Sequence, residues 1–257
     1  MNPESTKQKY KVIYEPTGAA REYAELALNL FEGCTHGCTY CYAPRCMRKN
    51  RDLFHAAYRV RPNIIALAHE DFQRMAANGD TRRVLMCFTC DPFQSIETAR
   101  VTSAVIDCAA RCGIPVSILT KGTFRHFCEA LPSIAKHGNV HVGVSLVWIN
   151  DETRAFYEPN AGTVIDRIRI IQASHGIAGI KTWVSLEPVI EPAQALAVIA
   201  ALHKQVDYWK IGKINHVAAL GKGVDWARFV ALANSTFSRF DVPYTSITFK
   251  KSLKKYL

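Results

Sequence analysis

The chain has 257 residues, 49% of them apolar, enough for a sizeable core in one large domain or two small ones. No run of about eighteen apolar residues free of charge occurs, so no transmembrane helix is expected, and the polar residues 1–11 do not read as a secretory signal. An odd count of nine cysteines argues for a reducing, cytoplasmic setting, and a net charge of +10 for a polyanionic partner such as nucleic acid.

In chain order, residues 27–32 read as a first strand that runs straight into a cysteine-rich segment. Residues 62–78 read as a helix, with Pro62 at its first turn, Ile64, Ala68, Phe72 and Met75 on one face, and Gly79 as its stop. Further strands are predicted at 84–90, 115–120, 141–147, 180–186 and 208–211, and helices at 95–112, 124–136, 163–174 and 192–203. Asp225 caps a last helix carrying Trp226, Phe229, Val230, Ala233 and Phe237, and 244–249 reads as a final strand. Six strand–helix units in succession predict an α/β fold with a mostly parallel sheet and right-handed crossovers. An open or partial (β/α)6 barrel fits this best, although periodicity alone leaves a doubly wound sheet open. The expected organisation is an N-terminal extension over 1–26, the barrel over 27–240, and a C-terminal strand with a basic tail over 241–257.

Cys34, Cys38 and Cys41 stand in the run Cys34-Thr-His-Gly-Cys38-Thr-Tyr-Cys41-Tyr42. Three thiolates this close can wrap one corner of a cubane iron–sulfur cluster, and Gly37 lets the backbone fold tightly between them. A [4Fe–4S] cluster held wholly by protein uses four cysteines, so three leave one iron open to another ligand. The alternative is zinc, with Cys46 or His36 as fourth ligand, in a non-catalytic zinc-stabilised nucleic-acid-binding protein. Against it, no second CxxC-type pair follows at finger-like spacing, and Tyr40 and Tyr42 suit a buried cofactor cradle.

Parallel α/β sheets bind ligands at the carboxyl ends of their strands. Each predicted strand delivers a polar group there. The first gives the cysteine run; the second gives Cys90-Asp91-Pro92-Phe93-Gln94; the third gives Thr120-Lys121-Gly122. Ser145 lies on the fourth, Ser185-Leu186-Glu187-Pro188 ends the fifth, and Lys210, Lys213, Asn215 and His216 follow the sixth. Together they predict one polar pocket. Basic residues gather after the cysteine run (Arg45, Arg48, Lys49, Arg51) and near the C-terminus (Lys250, Lys251, Lys254, Lys255), where a phosphate backbone would meet them. Cys108, Cys112 and Cys128 lie among apolar neighbours and read as core.

The CxxxCxxC spacing, with an aromatic residue before the third cysteine, resembles the cluster motif of the radical S-adenosylmethionine (SAM) superfamily. Segments 29–43, 91–97 and 119–122 together resemble its spore photoproduct lyase-related group, across roughly 27–216. The resemblance implies a [4Fe–4S] cluster on Cys34, Cys38 and Cys41 whose open iron takes the amino and carboxylate groups of SAM. It implies one-electron cleavage of SAM to methionine and a 5′-deoxyadenosyl radical that takes hydrogen from a substrate. An electron donor such as flavodoxin or ferredoxin would reduce the cluster. Lys121 and Ser145 match the family's lysine and serine that contact SAM. By charge, Asp91 or Glu187 would accept from the SAM ammonium or ribose hydroxyls, and Tyr42 would pack against cluster or adenine. The lyase's hydrogen-donating cysteine falls where this chain has Phe88, flanked by Cys87 and Cys90; either could donate hydrogen, or both are small core residues. Thymine-dimer repair is therefore not carried over. Nucleic acid is the first expected substrate, and a peptide or protein the second.

Overall fold

The computed structural model describes residues 10–214 and 217–257. Strand β1 (Leu26–Ala27) is followed by β2 (Phe31–Glu32), the helices α1 (Ala43–Cys46) and α2 (Arg51–Ala56), and β3 (Arg59–Val60). Helix α3 (Ile64–Ala77) leads to β4 (Val84–Met86), α4 (Ile96–Arg111) and β5 (Val116–Thr120). Two short helices, α5 (Phe124–Cys128) and α6 (Leu131–His137), precede β6 (Val140–Ser145), α7 (Asp151–Tyr157) and α8 (Val164–Ser174). The chain continues through β7 (Lys181–Val189), α9 (Pro192–Leu202), β8 (Tyr208–Lys213), α10 (Trp226–Arg239), β9 (Ile247–Phe249) and α11 (Lys251–Lys254).

Seven strands form one sheet in the order β1-β4-β5-β6-β7-β8-β9, with every neighbouring pair parallel. The sheet curls into an open half-barrel with helices against it. One face of the sheet is closed to solvent: Val116, Ile118, Val140, Val142, Val144, Val184, Leu186 and Ile211, which share that face, have lost essentially all contact with solvent. Helix starts are fixed locally. Ser95 and Thr98 form a reciprocal capping box on α4, Thr163 and Asp166 form another on α8, and Asn50, Asn150 and Asp225 cap α2, α7 and α10. Gly143 on β6 lies level with Trp183 on β7, and a Cβ at Gly143 would come within 2.1 Å of the indole. Only glycine lets that ring lie flat on the neighbouring strand.

Several expected elements are divided. The strand expected over 27–32 is two: β1 belongs to the main sheet, whereas β2 pairs antiparallel with β3 in a separate ribbon. A continuous buried apolar run cannot distinguish these cases, because Leu26 to Phe31 is buried throughout except at Asn29. The helix expected over 124–136 breaks between Cys128 and Leu131, since Pro132 has no N–H to offer the Cys128 carbonyl. The break leaves Cys128 exposed rather than in the core. The strand expected over 84–90 stops at Met86, and the short helices α1, α2 and α7 lie in segments that lack a long apolar period. The final strand expected over 244–249 is present as β9, shortened to Ile247–Phe249, and it adds parallel to β8. Among the described residues no helix is long and apolar enough to cross a membrane.

Candidate active site at the carboxyl ends of the strands

The cysteine loop follows β2 and is tied on every side. The Cys34 amide donates to the Phe54 carbonyl (3.1 Å), Thr35 to the Gln94 side chain (2.8 Å), Thr39 to the Tyr157 carbonyl (2.8 Å), and Cys41 back to Cys38 (3.0 Å). Gly37 turns the chain at φ +65°, a left-handed conformation that glycine adopts without strain. Tyr40 donates its hydroxyl to Glu158, which is ion-paired with Arg167, and both charged partners are fully buried.

Burial pushes all three thiols up: Cys34 well above its ordinary value, Cys38 to about 12, and Cys41 upward as well. Nearby Asp91 adds to the rise at Cys34, and Glu158 to that at Cys38. Against this, the backbone amides of His36 and Ala43 point at the Cys34 and Cys41 sulfurs and favour their thiolates. A donor set of this kind fits an iron–sulfur cluster, whose positive irons supply the charge that burial withholds and whose sulfur ligands commonly accept amide hydrogen bonds. Among the described residues no three His, Cys, Asp or Glu side chains close around a single ion. In a cubane, each thiolate takes a different iron.

Beside the loop, a cavity of about 490 Å³ opens at the carboxyl ends of the strands. Tyr40 and Tyr42 line it from the loop, Cys87, Cys90 and Asp91 from beyond β4, Lys121 from the end of β5, Ser145 from β6 and Glu187 from β7. Of the expected pocket residues, Tyr42, Cys87, Cys90, Asp91, Lys121, Ser145, Ser185 and Glu187 thus converge, whereas Cys34, Cys38, Cys41 and Gln94 lie outside the lining, Gln94 being held by the Thr35 amide. The Tyr42 hydroxyl donates to the Phe88 carbonyl (2.8 Å), while Asn29 Oδ1 accepts the amides of Phe88 (2.8 Å) and Thr89 (3.0 Å), fixing the Cys87–Cys90 turn in the wall. Cys87 and Cys90 are 4% and 8% exposed, and burial, aided by the adjoining Cys87 thiol, pushes Cys90 well up and keeps it protonated. Burial works against the Lys121 ammonium, yet Cys38 and Glu158 outweigh it and hold its pKa above the usual lysine value. That ammonium lies 5.8 Å from the centre of the Tyr40 ring.

Both carboxylates in the wall are engaged by the protein itself. Asp91 Oδ1 accepts from the Phe93 amide (2.9 Å) and the Thr120 hydroxyl (2.7 Å); Oδ2 accepts from the Lys121 amide (2.7 Å) and lies 3.3 Å from His36 Nε2. Burial opposes its charge, but His36 and these donors prevail and hold its pKa at about 2. Asp91 does not cap the following helix; Ser95 does. Glu187 takes Lys250 Nζ at 2.8 and 3.0 Å and the Tyr23 hydroxyl, which also lies 2.7 Å from Ser185 Oγ.

Three expectations need correction. Lys250, assigned to the basic tail, is 3% exposed and forms part of the cavity wall. Arg51, assigned to the basic stretch after the cysteines, stays exposed but lays its guanidinium on the carbonyls of Cys38 and Cys41. Lys210 points away from the cavity, donating to the Tyr23 (2.7 Å) and Glu22 (3.3 Å) carbonyls, and burial with Lys250 nearby lowers it to about 8. Of that sixth group, Ile214 lines the cavity, Lys213 lies over the Trp226 and Tyr256 rings, and Asn215 and His216 fall outside the described residues. Sequence reasoning missed Tyr23 and Asn29. Asn29, a polar residue inside an apolar run, is the one that left a signal.

A half-barrel of parallel strands with a three-cysteine loop and a polar cavity at its carboxyl ends defines a cofactor-dependent α/β enzyme. The family model of the radical SAM superfamily matches residues 28–209, and the chain belongs to that superfamily, whose enzymes use a [4Fe–4S] cluster and SAM. Uncharacterized proteins of Mycobacterium tuberculosis and Mycobacterium bovis are 29% identical over 182 residues, covering 68% of this chain and 52% of theirs. The chain therefore spans about half the length of the curated relatives it matches. Among solved structures, a spore photoproduct lyase mutant aligns with a TM-score of 0.66 at 15% identity, covering 95% of this chain and 79% of that one. SuiB of Streptococcus suis, bound to S-adenosylmethionine, aligns at 0.60 and 14% identity, covering 87% and 49%. These likenesses show the fold.

Proposed function

We propose that Cys34, Cys38 and Cys41 hold the cluster, that SAM occupies the adjoining cavity, and that the substrate is a nucleic acid. The observation that carries this reading is the cavity itself. It abuts the cysteine loop and brings together an ammonium (Lys121), a hydroxyl (Ser145), two thiols (Cys87, Cys90) and aromatic walls (Tyr40, Tyr42). When bound, the reduced cluster and SAM supply one-electron cleavage of a carbon–sulfur bond and a carbon radical able to take hydrogen from a substrate. The protein's own residues bind, orient and exclude water. Lys121 faces the SAM carboxylate, Ser145 hydrogen-bonds beside it, and Tyr42 packs against cluster or adenine. Asp91 and Glu187 shape the wall. Cys87 and Cys90 stand where a thiol S–H can return a hydrogen atom to a carbon-centred product.

Nucleic acid is favoured by charge at two sides of the cavity. Arg45, Arg48 and Lys49 are exposed next to Cys46, which lines it, and Lys251, Lys254 and Lys255 are exposed next to Lys250, which also lines it. Neutralised phosphates release counterions, so affinity should fall steeply with salt. The test is a titration against DNA, RNA and an unrelated polyanion at two salt concentrations, with Lys251, Lys254 and Lys255 changed together to alanine. Salt-dependent binding to nucleic acid that the triple variant weakens supports the reading. Equal, weak binding to every polyanion overturns the substrate class and turns attention to peptides. Loss of bound iron in each of Cys34→Ala, Cys38→Ala and Cys41→Ala tests the cluster ligands separately.

A further inference from the structure

All three cysteine residues of the loop are held by one short helix. On α2, Arg51 donates through Nη1 to the Cys41 carbonyl (3.3 Å) and through Nη2 to the Cys38 carbonyl. One turn later, His55 Nδ1 lies 2.7 Å from the Cys34 carbonyl. A carbonyl only accepts, so Nδ1 carries the hydrogen. Between them, the Phe54 carbonyl accepts the Cys34 amide (3.1 Å). Arg51 and His55 are four residues apart and so share one helix face, and Asn50 sets where that helix begins by capping Leu53. Each contact reaches backbone, leaving the sulfur side of the loop clear.

We infer that Arg51 and His55 are positioning residues for the iron–sulfur cluster, and that the Arg51 charge also raises its reduction potential. The inference rests on the reading that Cys34, Cys38 and Cys41 are the cluster ligands. The guanidinium is a rigid fork that spans two carbonyls at once, which a lysine ammonium cannot reproduce as a point charge. Drawing the three carbonyls toward α2 fixes the peptide planes from which the thiols project, so ligand spacing is set before iron arrives. Partners of this kind, one shell out from metal ligands, commonly change metal affinity 10- to 100-fold when removed. Reduction adds one negative charge to the cluster, and a fixed cation against the backbone of two ligands favours that state.

The two contributions separate in three variants of the full chain, reconstituted anaerobically. Arg51→Gln should lose cluster to a chelator at least about 10-fold faster than wild type. At fixed potential its reduced fraction should also fall about tenfold, a shift of about 59 mV to lower potential for a one-electron couple. Arg51→Lys keeps the charge and loses the fork, so it should leak cluster yet hold a near wild-type potential. His55→Ala should leak cluster at an unchanged potential, and His55→Asn, which offers an N–H at nearly the same place, should restore retention. Iron content, chelation half-life and a spectroscopically followed redox titration read these outcomes. Melting of the apoproteins reads any general loss of fold. Wild-type retention and potential in Arg51→Gln would overturn the inference while the cysteine assignment stood. Iron that stays bound in the cysteine variants would overturn the assignment beneath it.

Discussion

Asp91→Asn distinguishes a carboxylate that binds SAM from one that holds the site together. The native carboxylate accepts from the amides of Phe93 and Lys121 and the hydroxyl of Thr120, and it faces His36 of the cysteine loop. Its pKa is held at about 2 from an ordinary 3.8. At about 1.36 kcal/mol per unit, that depression corresponds to about 2 kcal/mol of stability. In the variant an amide N–H₂ or a weaker carbonyl must face the Lys121 amide, adding about 1–3 kcal/mol for an unsatisfied buried donor. The apoprotein should therefore lose about 3–5 kcal/mol, seen as a melting temperature lower by roughly 10 °C for a chain of this size. Since the folded pKa lies below the unfolded one, this stabilisation is complete above about pH 4 and is lost only as pH falls through about 2. The gap between wild type and variant should accordingly stay level from neutral to mildly acid pH. Anaerobic urea unfolding of the apoproteins at several pH values makes the measurement. An apoprotein as stable as wild type that has lost only SAM affinity would refute the reasoning and return Asp91 to the ligand set.

Lys250→Met should destabilise the protein by about 3–5 kcal/mol by leaving Glu187 buried and unpaired with its cation, and adding Glu187→Gln should recover part of that loss in chemical unfolding. Its affinity for polyanions should not change, because Lys250 does not face solvent. Gly143→Ala should cost about 1–3 kcal/mol through overpacking against Trp183, read as a lower urea midpoint at an unchanged slope. In D₂O, the exchangeable thiols of Cys87 and Cys90 should deliver deuterium to product, and the double alanine variant should not. Equal deuterium in both would remove the two thiols from the reaction.

Much of the half-barrel was legible because its signals are local. The apolar β-type runs read at 115–120, 141–147 and 180–186, the Asp225 cap and the Trp226–Phe237 face of α10 each report on their own neighbourhood. The cysteine loop was legible for the same reason, since its ligands lie within one turn-rich segment. What stayed hidden depends on pairings across the sequence. Lys250 and Glu187 are 63 residues apart, Tyr23 and Ser185 are 162 apart, and no periodicity announces that either pair meets in one wall. Arg51 and Lys250 carry the same charge as their exposed neighbours, so composition grouped them with the surface patches. The fold then separates them: Arg51, itself exposed, reaches back onto cysteine carbonyls, and Lys250 is buried on a carboxylate. Likewise, Asp91 reads as a ligand-facing acid in sequence because its four partners come from three different segments.

The wall and the rim of the cavity therefore answer to different physics. Inside, Asp91 is engaged by His36, Thr120 and backbone amides, and Glu187 by Lys250 and Tyr23, in positions fixed by the fold, and mobile ions screen buried pairs weakly. A ligand there meets a preset field in which Lys121 stands as a cation and the carboxylates are already engaged. At the rim, Arg45, Arg48, Lys49, Lys251, Lys254 and Lys255 lie in water, where the screening length at physiological salt is about 8 Å. Raising the salt should thus loosen a polyanionic substrate steeply while leaving SAM affinity nearly level. If both fell in parallel, the charges that hold SAM would have to be solvent-facing ones, and the division between an inner cofactor wall and an outer substrate rim would fail.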